Sequence, residues 1–296
     1  MVAIILVNYN GYDDTRECIE SLKQLNNKNN KIIVVDNCST DNSLAQLKEL
    51  QKSNDFILIA SECNNGFSAG NNKGINYAFE MGMDYFWLLN NDTIVEPDSL
   101  DKLLLGFNES SKCGCCISKI LYENDRNTIW YAGGAINKYT ARVEHFCYGK
   151  SDENYKESGI NKITFATGCC MLLSRTTIEQ IGLLSEDYFL YEEDTEYCCR
   201  MIESDIEILY IPEARIYHKV SASVGIASPM AQYYLVRNKY YLIKSKYKKL
   251  RKVCAYMYCT TQFIFRCIKN ELKFKYFKMG YNAFLKKEIG KSKIRL

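Results

Sequence analysis

Residues 3–9 read AIILVNY, an unbroken apolar run that ends on a polar tip. A run of that length with no polar alternation suits a strand covered on both faces, as in a parallel sheet. After it, Cys18, Ile19, Leu22 and Leu25 recur at helical spacing. The pattern then repeats: KIIVVDN (31–37) is followed by Leu44, Leu47 and Leu50, and FILIA (56–60) and YFWLLNN (85–91) come next, with helical stretches between and after. Strand and helix alternating in this way predict an α/β fold, a mainly parallel sheet with helices on both faces.

In such sheets ligands bind beyond the carboxyl ends of the strands. Polar residues collect there: Asn8-Tyr9-Asn10-Gly11 after the first strand, Asp36-Asn37-Cys38-Ser39-Thr40-Asp41 after the second, and Asn90-Asn91-Asp92 after the fourth. One such end is ordinary turn chemistry. Three on one edge predict a polar ligand site, with Asp92 as its carboxylate. Between strands three and four, NNGFSAGNNKG (64–74) is glycine-rich but fits neither the dinucleotide G-x-G-x-x-G nor the phosphate loop G-x-x-x-x-G-K-[ST]. Those two classes are disfavoured, and the glycines either permit a close backbone approach or open a helix.

The 296 residues are 47% hydrophobic and 25% charged, enough for a sizeable core and one appended subdomain. The fourteen cysteines are scattered, and the opening MVAIILVNYN is too short for a signal peptide, so reduced cytosolic thiols are expected. Cys113, Cys115 and Cys116 do not make the paired C-x-x-C spacing of a zinc site and read as small apolar filler. The net charge of +3 conceals a segregation: residues 237–296 carry 18 Lys and Arg against two acids, leaving the preceding 236 residues acidic.

VNYNG, VVDNCSTDNS, NNGFSAGNNKG, LLNNDT, TGCCMLLSR (167–175) and FLYEEDTEYCCR (189–200), in this order, resemble glycosyltransferase family 2, specifically its rhamnosyl- and galactofuranosyltransferase-like members. The match runs over roughly residues 1–225. The resemblance implies a GT-A fold: a Rossmann-like nucleotide-sugar half (about 1–95) and an acceptor half (about 96–225). Residues 226–296 then form a basic, aromatic, helical C-terminal region. By resemblance the base and ribose of a dTDP- or UDP-linked donor lie against Asn8 and Asp36, and the stretch from Gly66 to Asn72 shapes the donor pocket. Asn90-Asn91-Asp92 falls where the family keeps its D-x-D metal motif, with Asn90 departing from the pattern. Asp92 is the expected metal carboxylate and Asn91 a donor-side neighbour. A hard divalent cation, Mg²⁺ or Mn²⁺, would neutralise the diphosphate as it leaves.

The cluster YEEDTEY (191–197) has two readings, a solvated acidic helix start or a catalytic pair. The resemblance matches Glu193-Asp194 to the family's E-D pair, whose Asp is the general base. His218, in RIYHKVSASVG, lies where relatives place an active-site histidine and is either a metal ligand or a plain strand-end residue; His145 is expected in a loop. The implied activity is an inverting, metal-dependent glycosyl transfer to a saccharide or lipid-linked saccharide of a bacterial surface polysaccharide. A nucleotidyltransferase, or a non-catalytic module of the same fold, are the alternatives.

The tail is unexplained by the resemblance. From Met230, MAQYYLVRNKYYLIKSKYKKLRK reads as one long helix, and VCAYMYCTTQFIFRCI (253–268) is too short to span a bilayer. No nucleic-acid recognition motif accompanies the charge, so no nucleic-acid partner is expected. Lys stems beside aromatic and aliphatic residues predict peripheral binding to an anionic membrane surface, the cytoplasmic leaflet. The alternative is a basic face packed on the acidic domain or on a second subunit, as in a homodimer.

Overall fold

The computed structural model describes residues 1–155, 159–220 and 228–293. Its first four strands are β1 (Val2–Asn8), β2 (Asn30–Asp36), β3 (Ile57–Ala60) and β4 (Tyr85–Asn90), connected through α1 (Tyr12–Lys23), α2 (Ser43–Gln51) and α3 (Phe67–Glu80). They lie parallel in the order β3-β2-β1-β4. β1 is central, and Val2 to Leu6 are all buried, which is why that stretch shows no polar alternation. Register pairs Asn8 with Asp36 and Val7 with Asn90, so the polar tips meet at one edge. α3 lies directly on β1: a Cβ on Gly70 would come within 2.7 Å of Val7, and one on Gly74 within 2.5 Å of Ile5. Of the two readings of the glycine-rich stretch, close approach explains these positions.

The second half continues the same sheet with reversals. It comprises β5 (Thr93–Val95), α4 (Ser99–Leu105), β6 (Cys113–Tyr122), β7 (Ile129–Tyr131), β8 (Gly134–Ile136), β9 (Val143–His145), β10 (Asn161–Ile163), β11 (Cys170–Ser174), α5 (Arg175–Ile181), α6 (Glu193–Glu203) and β12 (Glu207–His218). The main path through the sheet is β10-β12-β6-β11-β4-β1-β2-β3, with β5 beside β12 and β7 beside β6, while β8 and β9 pair as a separate two-stranded sheet. β11 runs antiparallel between β4 and β6, whereas β12 is parallel to β6. The chain thus forms the expected α/β fold with a mostly parallel central sheet. Cys115 and Cys116 are buried in β6 as apolar filler. His145 departs from its expected loop: it ends β9, with its ring 5.3–5.5 Å from those of Trp130, Tyr131 and Phe165.

The C-terminal region is helical, with α7 (Pro229–Lys246), α8 (Lys249–Ile268) and α9 (Phe274–Leu285). The single long helix expected from Met230 is broken at Tyr247, which is extended (φ −104°, ψ 143°). Its buried ring and a hydroxyl that donates to Asn137 O (3.2 Å) hold that break. Past it, Ala255, Cys259 and Phe263 pack on Val236, Tyr240 and Ile243 in a second small core. Among the described residues no helix is long and apolar enough to cross a membrane. The expected boundary at 225/226 lies outside the described residues.

Candidate active site

At the strand-end edge, Asn8 and Asp36 are fully buried. Asn8 Nδ2 donates to Asp36 Oδ1 (2.8 Å) and Ser39 Oγ (3.1 Å), and Asn8 Oδ1 accepts from Thr15 Oγ1 (2.9 Å). Ser39 completes the carboxylate through its Oγ (2.6 Å) and backbone N (3.0 Å). Thr15 also accepts from Asn91 Nδ2 (2.8 Å), so the first and fourth strand ends are tied through α1. Asn8, Asp36 and Asn91 therefore form one network that fixes the shape of the edge.

The fourth strand end brings Asp92 to His218, far apart in sequence. β5 pairs antiparallel with β12 and sets Thr93 opposite His218, which delivers Asp92 Oδ1 to within 3.1 Å of His218 Nε2. Both side chains are nearly buried, Trp130 stands edge-on to the imidazole (4.7 Å), and His218 Nδ1 has no hydrogen-bond partner. Among the described residues no group of three or more His, Cys, Asp or Glu is arranged to hold a metal alone. A carboxylate oxygen and an imidazole nitrogen converging in this way fit part of a divalent-cation shell, with ligand and water oxygens left to complete it.

The acidic cluster is not a solvated helix start. Glu192, Glu193 and Glu196 are buried, and Tyr191 and Glu192, which open α6, both hold left-handed backbone (φ 67° and 73°). Non-glycine residues rarely adopt that conformation without support from their surroundings. Asp194 Oδ2 accepts from Gly168 N (3.2 Å), and its Oδ1 accepts from Thr195 N (2.6 Å) and Oγ1 (3.2 Å). Burial raises the Asp194 carboxyl above its ordinary value, and these hydrogen bonds oppose the rise. Burial first, and then the neighbouring Asp194, push Glu193 much further up; its Oε2 has no partner. Two adjacent carboxyls are thus separated in acidity, with Asp194 the easier to ionise.

Residues 167–169, just before β11, link the two carboxylate regions. Asn90 N donates to Cys169 O (2.9 Å) while Gly168 N reaches Asp194. The antiparallel course of β11 is what puts this segment beside the end of β4. Gly66 joins the glycine-rich stretch to the acidic loop: its φ is +96°, and a Cβ would lie 2.1 Å from Phe189 O. Asn72 is a strut to the same region, donating to Leu184 O and Glu186 Oε1 (both 2.9 Å) and accepting from Leu184 N (3.1 Å).

Glycosyl transferase family 2 matches over residues 3–182, more than half of the chain. The chain belongs to that family. Among relatives of this family 2 chain, the low-salt glycan biosynthesis hexosyltransferase Agl10 of Haloferax volcanii is 24% identical over 217 residues, 70% of this chain and 63% of that protein. The dTDP-rhamnosyl transferase RfbF of Shigella flexneri is 25% identical over 185 residues, 59% and 58% of the two lengths. The chain covers less than two thirds of either relative. Solved structures of similar fold include GalNAc-T7 with UDP, GalNAc and Mn²⁺ (TM-score 0.63, 14% identity, 98% of this chain and 58% of that one). The mannosyltransferase PcManGT of Pyrobaculum calidifontis in complex with GDP-Man and Mn²⁺ is another (0.61, 12%, 96% and 86%). At these identities the likeness is one of fold, the GT-A arrangement.

Sequence reasoning on this family 2 chain missed that in TGCCMLLSR it is the backbone of Gly168, rather than a side chain, that bonds Asp194. A glycine directly preceding a buried cysteine pair was the only signal. The alternative of a basic face packed on the acidic domain did not name the contact, which is between α7 and the acidic loop: Asn238 Nδ2 donates to Leu190 O (2.8 Å) and Tyr191 O (3.0 Å), and Lys239 Nζ lies 2.7 Å from Glu192 Oε2.

Proposed function

We propose that this protein is an inverting, divalent-cation-dependent glycosyltransferase. It moves a sugar from a dTDP- or UDP-linked donor to a hydroxyl of a saccharide or lipid-linked saccharide in surface polysaccharide assembly. The observation that carries this reading is that the 167–169 segment bonds both Asp194, through Gly168 N, and the strand end at Asn90, two residues before the Asp92 that pairs with His218. The Asn8–Asp36–Asn91 network shapes the edge on which the nucleoside lies, and Gly66 and Asn72 hold the donor-side loop against residues 184–189.

Asp92 and His218 would hold the cation, which when bound would supply charge neutralisation to the departing nucleoside diphosphate. Asp194, the more readily ionised of the two adjacent carboxyls, accepts the proton of the attacking hydroxyl. Glu193 beside it is the harder of the two to ionise, because burial and the neighbouring Asp194 raise it further. A single displacement of this kind inverts the anomeric carbon without a covalent intermediate. Burial of Glu193 and partial burial of Asp194 strengthen the electrostatic interactions at the base. Both carboxylates whose loss would mark a non-catalytic module, Asp92 and Asp194, are present.

The test is a panel of nucleotide sugars assayed for turnover and thermal stabilisation with Mg²⁺ or Mn²⁺. Turnover is expected to require the cation and to collapse in Asp92→Asn, with kcat falling more than donor affinity. Full activity in EDTA would remove the cation role. Pyrophosphate release from a nucleoside triphosphate, without sugar transfer, would favour a nucleotidyltransferase.

We also infer that α8 and α9 rest on the anionic cytoplasmic face of a membrane, where a lipid-linked acceptor would be found. Supporting this, Leu250, Val253, Met257, Ile264 and Ile268 form an exposed stripe along α8, opposite its buried face, among exposed Lys249, Arg251, Lys269 and Lys273. Two lysines of α7 belong to a different environment: Lys239 pairs with Glu192 and Lys246 with Glu196 (3.0 Å), packing the start of the basic region on the acidic domain.

A further inference from the structure

Arg237, Asn238 and Lys239 are consecutive on α7, and all three bear on one turn. Arg237 is a large charged side chain with only 1% exposure, and its terminal nitrogens have no hydrogen-bond partner. The rings of Tyr233 and Tyr234 lie 5.6 and 4.7 Å from the guanidinium, a cationic stacking that offsets part of its desolvation. Its Nε donates to Asn238 Oδ1 (2.9 Å). Because that nitrogen can only donate, the amide is oriented with its NH₂ toward the other side. There the NH₂ meets the carbonyls of Leu190 and Tyr191, the two peptide units that precede the left-handed residues Tyr191 and Glu192. Lys239 Nζ then bonds the Glu192 carboxylate and also Ala141 O (3.2 Å), tying the N-cap of α6 to the β8–β9 hairpin. Glu192 O accepts the first backbone bond of α6 (from Glu196 N, 2.8 Å), and Asp194 follows two residues later.

Two successive left-handed non-glycine residues cost free energy, and α7 contributes bonds from outside the loop that offset it. We propose that Asn238 and Lys239 are positioning residues for the transfer reaction: they lock the turn at Tyr191–Glu192 so that Asp194 is held against Gly168. Arg237 orients Asn238, and the basic C-terminal region is a working part of the active site. The proposal rests on the reading of Asp194 as the general base.

The test compares Asn238→Ala, Asn238→Asp, Lys239→Met and Lys239→Arg in the full-length protein, with two independent readouts. Hydrogen–deuterium exchange of the peptide spanning 186–200 reports on the turn whether or not a substrate is known. It is expected to rise in Asn238→Ala, Asn238→Asp and Lys239→Met, with UDP or dTDP binding in Mn²⁺ unchanged as a check on the donor half. Kinetics with whichever nucleotide sugar the wild type turns over are expected to show kcat down on the order of 10²-fold for a misplaced base, with donor KM little changed. Lys239→Arg keeps the charge and stays near wild type in both readouts. Exchange unaltered in the Asn238 variants, or raised exchange with kcat unaltered, overturns the proposal. A wild type that turns over no nucleotide sugar strikes the transferase reading instead, and the exchange data still decide whether α7 holds the turn.

Discussion

Glu193 and Asp194 are chemically near-identical neighbours that the fold drives apart. Asp194 receives three hydrogen bonds and Glu193 Oε2 none, so burial weighs far more heavily on Glu193. Asp194→Asn is therefore expected to lose roughly 10² to 10⁴ in kcat, the span of a general base, while keeping donor binding; Glu193→Gln should lose less. The reverse order would assign the base to Glu193. Because the Asp194 carboxyl is raised, the acid limb of the rate profile should lie above the ordinary carboxylate range, and Thr195→Val, which removes one bond to the anion, should move it higher. Stability responds to Glu193 with a definite sign. A raised folded pKa means its contribution is complete below the unfolded value near 4.5 and is lost as pH rises through the folded value. Glu193→Gln should thus be the more stable protein at neutral pH, by on the order of 1 kcal/mol, and gain nothing in acid. Equal urea midpoints at both pH values would contradict this. The E-D pair, and by resemblance its Asp as the base, were legible in the sequence, but the physical cause of the difference was not, because it depends on a backbone N–H from residue 168.

At the scale of elements, what could be read from sequence was what local pattern encodes. β1 to β4 announced themselves because buried parallel strands carry continuous apolar runs, and their polar tips followed from register. β11 was hidden: MLLS is as apolar as any parallel strand, and nothing local states that it runs backward between β4 and β6. The break at Tyr247 was equally hidden, since a tyrosine continues a helix unless a partner such as the Asn137 carbonyl captures its hydroxyl. The glycine-rich stretch permits a direct test of element packing. Gly82 and Gly66 both have positive φ, but a Cβ on Gly82 meets nothing within 4 Å, whereas one on Gly66 would collide with Phe189 O. Gly82→Ala should cost about 1 kcal/mol of backbone strain alone. Gly66→Ala should cost clearly more in urea unfolding and also lower turnover, because Phe189 begins the run that ends at Asp194. Similar costs for the two substitutions would mean that the contact between the donor loop and the acidic loop is dispensable.

For the whole molecule, the decisive property is the uneven division of charge, and the fold splits the basic region into two parts with different fates. α7 spends Lys239 and Lys246 on carboxylates of α6, so it is an internal strut. α8 is apolar on two opposite faces: Ala255, Cys259 and Phe263 are buried, while Leu250 (71% exposed), Met257 (67%) and Ile268 (72%) face outward. A second copy could cover such a stripe, but it would bring two strongly basic surfaces together. An anionic membrane satisfies both features at once, with about 1 kcal/mol per basic residue near the surface added to burial of the stripe. Removing residues 240–296 would be a poor test, because that cut falls inside α7, strips most of the second small core and removes Ala283, which packs in one cluster with Phe189 and Tyr191. Replacing Met257, Ile264 and Ile268 together by Glu leaves α7 intact. The wild type is expected to sediment with anionic but not neutral liposomes and to be released by high salt. The triple variant should stay in the supernatant, with turnover of a soluble nucleotide sugar unchanged. Binding to neutral vesicles as strong as to anionic ones, or a triple variant that still sediments, would remove the membrane face from this account; dimers of the wild type that the triple variant dissolves, with no vesicle binding, would hand the stripe to a second subunit.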